Sequence, residues 1–466
     1  MKLNRERTVP DQPTSSVPHL TPDPAAALEQ SSVAETKPRK SSWGVFAIDL
    51  RPLRDSREYR LLYISQSVSL FGTMMSFVAL PWQLFRLTRS SFAVGMLGVV
   101  EFVAIFSMAF VGGALADYID RRRLIRLTES ALAMGCVILI FNSMLARPHV
   151  WILYLSAGLF AALAGLQRPA LEALTPRLVR AEQMPAVAAL VGLRGSIAMI
   201  GGPALGGVLV VSVGPACAYA VDLTTFIISV CALSLMQSVP PPPEADRPSF
   251  RSVMDGLRYA RSRQELLGTY LVDINAMFFG MPMALFPAVA ESFGGASVGL
   301  LYASPAVGAL CASLTSGWSV KVQRHGLAVA IAAATWGLAI IGFGFARTLW
   351  LALVCLAVAG GADMVSGLFR MTIWNQTIPD HLRGRLAGIE IVSYTTGPML
   401  GNAESGIIAS LFSIRASIVS GGILCVVGTG LLTLMLPAFR HYDGRAGLAH
   451  KHAEEAGRAA ETNAST

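Results

Sequence analysis

Long apolar stretches, separated by short polar or basic breaks, follow one another from about residue 60 to residue 437. They fall at 60–85, 92–115, 124–146, 150–171, 186–211 and 216–237. They resume at 266–290, 296–319, 326–346, 349–372, 384–410 and 414–437. A membrane-crossing helix needs about 20 mostly apolar residues, so the pattern predicts twelve of them. Only helices fit, because lipid offers no partners to open backbone groups. The expected fold class is therefore all-α and integral to a membrane.

The polar stretches supply the domain plan. Residues 1–42 are rich in Pro and Ser and read as a disordered cytoplasmic tail. Residues 43–59 alternate aromatic and apolar residues with arginines, an amphipathic lead-in along the membrane surface. A linker at 238–265 opens on Pro240–Pro243, a stiff spacer, and its remainder from Phe250 to Arg263 predicts a surface helix. It separates a six-helix bundle at 60–237 from a second at 266–437. Residues 438–466 read as another disordered cytoplasmic tail.

Composition agrees with this plan. The chain is 53% hydrophobic and 14% charged, which excludes disorder and suits a membrane protein. A net charge of +8 raises the question of nucleic acid, but its distribution answers it. If both termini are cytoplasmic, fifteen arginines and lysines fall in cytoplasmic loops: Arg121, Arg122, Arg123, Arg126, Arg177, Arg180, Arg247, Arg251, Arg258, Arg261, Arg263, Lys321, Arg324, Arg383 and Arg385. Five fall outside: Arg86, Arg89, Arg147, Arg347 and Arg415. That bias is the positive-inside pattern, so a lipid bilayer, not nucleic acid, is the expected surroundings. The six cysteines sit singly in apolar runs, without a CxxC or a Cys/His cluster; no metal, cofactor or disulfide framework is expected. No cleavable signal precedes the first helix. Five lysines and no Gly-Lys dipeptide leave no Walker-type phosphate loop. With no HExxH and no Gly-x-Ser-x-Gly either, an enzyme is not expected.

Residues 112–126, Gly-Gly-Ala-Leu-Ala-Asp-Tyr-Ile-Asp-Arg-Arg-Arg-Leu-Ile-Arg, join the second and third segments through a very short charged turn. Arginines alone would mark topology. The addition of Gly113 and the small residues around it, which permit close helix approach, and of Asp117, which can pair with Arg121, Arg122 or Arg123, points to a gate that latches one conformation. The halves echo each other: Ala173-Leu-Thr-Pro-Arg-Leu-Val-Arg follows segment 4 and Gln376-Thr-Ile-Pro-Asp-His-Leu-Arg follows segment 10. Ser316–Gly326 stands where the 112–126 motif would recur, in degraded form. Repeated halves around a central site are a design of secondary transporters.

The 112–126 stretch resembles the signature loop of the major facilitator superfamily. The resemblance covers about residues 49–437 and implies twelve transmembrane helices in two pseudo-symmetric six-helix halves. In segment 5, Gly202-Pro203-Ala204-Leu205-Gly206-Gly207 is similar to the motif that this superfamily associates with exporters; a generic kink and packing patch is the alternative.

Ionisable groups inside the membrane are costly and mark candidate sites. Here they are Glu101, Arg194, Asp222, Asp273, Asp363, Glu390 and Glu404. A carboxyl group in an apolar cavity can gain and lose a proton during a transport cycle; a structural ion pair or hydrogen bond is the alternative for each. Arg168 and Arg370, near segment ends, are expected to reach outward or to pair with carboxylates. Met277, Phe278, Phe279, Met281, Met283 and Phe286 cluster in segment 7 and suit either packing or an aromatic ligand.

Within the superfamily the sequence looks most like the enterobactin (siderophore) exporter family, with macrolide and tetracycline efflux pumps as neighbours. Asp120 before the basic run, the Leu235–Pro243 passage and Gly299–Gly317 carry that resemblance, while Asp380–Arg385 is shared with the drug pumps. Asp273 is more like the drug pumps, and Tyr118 replaces the superfamily's usual arginine. The resemblance implies a proton-driven exporter in the inner membrane, acting as a monomer on a small molecule, a catecholate siderophore such as enterobactin first and amphipathic drugs second. A transporter-like sensor would need a large folded terminal domain, which the short polar tails do not supply.

Overall fold

The computed structural model describes residues 49–118, 120–238, 258–379, 383–445, 447–448 and 451; of 109–118 and 383–395 it describes the helical backbone alone. The predicted tail 1–42 and most of the linker lie outside the described residues. Asp49–Thr466 forms one compact unit.

The twelve main helices are α1 (Arg57–Thr88), α2 (Ser91–Tyr118), α3 (Arg121–Met144), α4 (Val150–Leu178), α5 (Met184–Ser212), α6 (Pro215–Ser234), α7 (Gln264–Phe279), α8 (Val298–Leu314), α9 (His325–Phe345), α10 (Leu349–Thr377), α11 (Arg383–Leu411) and α12 (Ile414–Met435). Among the described residues, ten helical stretches are long and apolar enough to cross a membrane, and α8 is a shorter apolar one. Local chemistry sets several starts. Ser56 accepts from the Tyr59 N–H, Asp120 from Arg123 and Ser413 from Ala416, each satisfying a first-turn donor. Pro215 opens α6, where its missing N–H costs nothing.

Packing repeats with an offset of six helices. α2 packs on α4 as α8 does on α10, α3 on α6 as α9 on α12, and α1 on α5 as α7 on α11. The two most extensive contacts between the halves, α2 with α11 and α5 with α8, are exchanged by the same offset. The turns at 89–90, 145–149, 213–214, 293–297, 346–348 and 412–413 lie at one end of the bundle, hereafter the tight-turn end; the other, which carries Arg121–Arg123, is the basic end.

Atomic contacts between the halves fall toward the tight-turn end. A methyl group on Gly207 of α5 would come within 2.4 Å of the Gly299 Cα on α8. One on Gly98 of α2 would come within 2.1 Å of the Met399 carbonyl of α11. Arg89, which ends α1 with a left-handed φ of 53°, pairs with Glu291 beyond α7 at 2.5 Å. The largest apolar cluster spans both halves here, whereas Leu62, Leu124, Ile125, Leu174 and Leu233 form a separate cluster of the first half at the basic end.

Three expectations are corrected. The lead-in ends sooner than expected: a separate helix covers Arg51–Asp55, and α1 already begins at Arg57, after its Ser56 cap. The proposed tail at 438–466 is ordered at its start. Phe439, fully buried, packs on Gly268 and Gly326, Asp443 bridges to the Arg324 backbone, and the Tyr442 hydroxyl bonds to Thr377 at 3.0 Å. Segment 7 is not continuous: α7 stops at Phe279, and a turn at Met283–Leu285 leads into a short helix, Phe286–Ser292. Pro282 accounts for the break, since it donates no hydrogen bond and disfavours helix at the residue before it. Side chains take up the freed groups. Trp336 donates to the Gly280 carbonyl, the Tyr302 hydroxyl to the Met283 carbonyl, and the Ala284 N–H to Asn402 Oδ1, each at 3.0 Å.

A variant carrying Trp336→Phe keeps an aromatic ring but loses the indole N–H and part of the buried ring, and orphans the Gly280 carbonyl. It is expected to lose about 1–3 kcal/mol of stability, read as a lower thermal midpoint in detergent. Trp350→Phe, at a ring 77% exposed, is expected to leave the midpoint unchanged. Equal midpoints for the two variants would refute the role given to Trp336.

Candidate functional site

A cavity of about 400 Å³ lies between the halves, beside the Gly98–Met399 contact. Its walls come from α1 (Met74, Ser76, Phe77), α2 (Leu97, Glu101, Ile105), α4 (Ala157, Phe160), the α7 break (Met283, Ala284), α8 (Tyr302) and α11 (Met399, Asn402). The lining is mostly apolar, and Phe77 meets Tyr302 edge-on at 5.6 Å. Glu101 is its only Asp, Glu, Lys or Arg among the described residues. Small residues make the space. Gly98 lets α2 approach α11, and Gly158 and Gly165 let α4 approach α2.

Of the segment 7 cluster, only Met283 reaches this lining. Met277 and Phe278 pack on Gly397 and Gly401 of α11, and Phe279 on Gly421 of α12. Phe286 is buried edge-on against Tyr302 and Phe343. The packing reading holds for these residues.

Asp222 of α6 is fully buried behind the cavity wall. Ser76, a lining residue, donates to its Oδ2, and Cys136 and Thr225 add contacts at 3.5 and 3.3 Å. A second carboxylate, Glu129 of α3, was not among the sequence candidates. It accepts from Gln66 at 3.0 Å, Ser69 at 2.9 Å and Gln167 at 2.8 Å. Its position in the apolar run 124–146 was the available signal. These two acids bind α1, α3, α4 and α6 through neutral donors.

The second half handles its acids with an arginine. Arg370 of α10 reaches Asp273 of α7 through Nη1 and lies 3.7 Å from Asp363 through Nη2. The side chains of Arg370 and Asp273 are 11% and 6% exposed, that of Asp363 42%. Pairing with carboxylates, one of two expectations for Arg370, is what the structure shows. Arg168 also pairs, with Glu172 one turn on at 3.0 Å.

Other candidates stand apart from the cavity. Arg194 lies on α5 beside Leu190, near Tyr59 and Tyr63, with a buried Nε that has no hydrogen-bond partner. Glu404 is half-buried two turns from the tight-turn end of α11. The side chain of Glu390 lies outside the described residues.

The gate residues divide in the same way. Gly113 and Asp117 fall in the stretch whose side chains are outside the description. Arg121 donates to the Ala173 carbonyl at 3.1 Å. Arg122 donates to the Leu233 and Ser234 carbonyls at 2.8 and 2.6 Å. Cations here meet the negative ends of α4 and α6. Arg123 is exposed, and Asp120 both caps α3 and accepts from Ser238. In the segment 5 motif, Gly202 and Gly206 pack on Met74 and Met75 of α1, Pro203 is buried, and Gly207 meets Gly299.

The chain is 29% identical over 406 residues to the enterobactin exporter EntS of Escherichia coli (strain K12), covering 86% of this chain and 97% of that protein. The enterobactin exporter of Citrobacter koseri matches equally, at 29% over the same shares. Among solved structures, a POT family transporter bound to 5-aminolevulinic acid superimposes with a TM-score of 0.65 at 11% identity, over 82% of this chain and 97% of that one. A bacterial homologue of the iron transporter ferroportin, in an inward-facing state, gives 0.63 at 13% identity over 83% and 99%. The structural matches show the shared fold, that of the major facilitator transporters. The sequence matches the transmembrane secretion effector family of that superfamily over residues 47–460, and the chain belongs to that family.

Proposed function

We propose that this chain is a proton-driven exporter of a catecholate siderophore of the enterobactin class. It acts as a monomer in the inner membrane, with the basic end and both termini facing the cytoplasm. The observation that carries the reading is the cavity, which is lined by Phe77, Phe160, Tyr302 and three methionines between two halves that touch toward the tight-turn end. Aromatic and thioether side chains offer adaptable contact to a ring-bearing cargo. Relatives named enterobactin exporter match over 97% of their own length. In this reading, bundles 60–237 and 266–437 rock about the cavity, and Asp117 with the following arginines latches the cytoplasmic face. Within Gly202–Gly207, Gly202 and Gly206 seat α5 on α1, and Pro203, Ala204 and Gly207 form the flat face that lets α5 slide on Gly299 of α8.

A second reading, export of cationic amphipathic drugs, is favoured by one observation: Glu101 puts a carboxylate on the lining, with no arginine or lysine beside it among the described residues. A catecholate cargo would meet Glu101 as a hydrogen-bond acceptor, a drug cation as a counter-ion.

Deletion of the gene is expected to abolish catecholate secretion under iron starvation and to leave drug susceptibility unchanged. Normal secretion with drug hypersensitivity would instead establish the second reading. Glu101→Gln separates them further. It keeps the acceptor and removes the charge, so catecholate export should persist. Under the second reading, efflux of ethidium should fall at least about tenfold, the equivalent of ~1.4 kcal/mol. Asp117→Asn is expected to impair transport while the protein remains in the membrane at normal abundance; normal transport would rule out the latch.

A further inference from the structure

Ser316–Gly326 stands where the 112–126 motif would recur, yet it cannot latch as that motif does, because it contains no Asp or Glu. Its charges are Lys321 and Arg324. These lie at one end of a second groove, remote from the cavity between the halves. α8 and α9 both pack on α10, and a furrow of about 550 Å³ runs between them. α10 contributes Gly361, Ala362 and Phe369, α8 contributes Ala312, and α9 contributes Leu327 and Ile331.

The groove faces lipid. Ile331 and Val358 in its lining are exposed, as are Leu338 and Val354 on the same helix faces. The opposite face of α9 is already covered, with Gly337 against α12 and Gly326 against Phe439. The lining runs from Arg324 to Thr335 at α9 and from Val358 to Phe369 along α10. Each stretch rises about 16 Å, half of a hydrocarbon core about 30 Å thick. The groove is therefore one leaflet deep. Its inner part is apolar, and its chemistry changes only at the basic end. There the turn Ser316–Lys321 exposes Trp318 and Val320, and the Trp318 ring lies 6.0 Å from that of Phe369. Tryptophan at a membrane surface sits at headgroup level, which places Lys321 and Arg324 there too. The acids nearby have other partners. Asp363 lies 3.7 Å from Arg370, and Asp443, whose backbone bridges to Arg324, accepts from the Arg445 N–H at 3.0 Å.

We propose that this groove holds one anionic phospholipid of the leaflet at the basic end. An acyl chain lies along Ile331, Ala332 and Val358, and the headgroup phosphate meets Arg324 and Lys321. An apolar slot one leaflet deep, closed at headgroup level by an indole and two cations, fits an amphiphile with a long chain and a negative head. The lipid phosphate thus gives the second half the negative group that the 112–126 motif carries in its own sequence as Asp117. Neither the cargo nor the proton bears on this site.

The test places a photoreactive benzoylphenylalanine at Ile331, an exposed position, in the full-length protein. The protein is reconstituted into phosphatidylcholine vesicles with phosphatidylglycerol as the minor lipid. Irradiation is expected to give a phospholipid adduct on the peptide that contains residue 331, with phosphatidylglycerol enriched at least about fivefold over its share of the lipid. The same probe at Leu431, exposed on α12 outside the groove, should capture the two lipids in their bulk ratio. Combined Lys321→Gln and Arg324→Gln, at two exposed residues, should return the adduct at 331 to the bulk ratio. Ala328→Trp, which fills the groove, should do the same, and the Leu431 probe in each variant reports that the protein is still inserted. Adducts in the bulk ratio at Ile331 of the otherwise unaltered protein would overturn the proposal, as would enrichment that survives either variant. Equal enrichment at Leu431 would show a general attraction of anionic lipid to the basic end and remove the site. An adduct to another peptide of this chain would show that the protein covers its own groove and would overturn the proposal too.

Discussion

Lipid supplies no hydrogen bonds, so a helix that breaks inside a membrane must find partners for every peptide group it frees. α7 breaks at Pro282, and three side chains from three helices close the account: Trp336 of α9, Tyr302 of α8 and Asn402 of α11. Each orphaned group would otherwise cost about 1–3 kcal/mol. The repair therefore fixes four helices of the second half relative to one another. It also makes the cavity, because Met283, Ala284, Tyr302 and Asn402 are at once the repair and the wall. Three hydrogen bonds therefore hold the backbone on this side of the site.

Between the halves the forces are of another kind. Apolar side chains gain little by leaving lipid for one another, so close approach depends on small residues and van der Waals contact. Gly207 with Gly299 and Gly98 with the Met399 carbonyl bring backbones together directly. Arg89–Glu291 adds an ion pair at that end, but its partners are 58% and 31% exposed, and such pairs contribute about 0–1 kcal/mol. A seam of this sort holds without interdigitating. Two halves joined by smooth surfaces and a weak ion pair can part and close repeatedly, while the side-chain repairs inside each half stay intact.

Most of the architecture was legible in the sequence, and the reasons are physical. Membrane length and the ban on open backbone leave helices as the only solution, so apolar runs gave helix number and approximate bounds. The break in segment 7 was written in Gly280-Met281-Pro282, yet apolar periodicity runs straight through it. The ordered strap at Phe439–Asp443 was missed because its anchors, Gly268 and Gly326, are distant in sequence. For the site, intramembrane charge flagged Glu101, Asp222, Asp273 and Asp363. Glu129 escaped because it lies close behind the arginines of 121–126 and reads as part of that polar turn. What no spacing reveals is which acid finds an arginine and which finds amides. That depends on the helices brought together by the fold.

This distribution of partners divides the work between the halves. In the first half, Glu129 takes four hydrogen bonds from Gln66, Ser69 and Gln167. Asp222 sits one hydroxyl away from the cavity. Neutral donors satisfy a carboxylate without offering it an alternative, so these groups tie α1, α3, α4 and α6 into one body. In the second half a single guanidinium faces two acids, and only one is buried with it. Neutral donors around Glu129 and Asp222 fix four helices of the first half, whereas in the second half one guanidinium ties α10 to α7 through Asp273 and reaches along α10 toward Asp363. The same residue type thus serves a neutral hydrogen-bond network in one half and an ion pair in the other, because the helices packed around each carboxylate supply different partners.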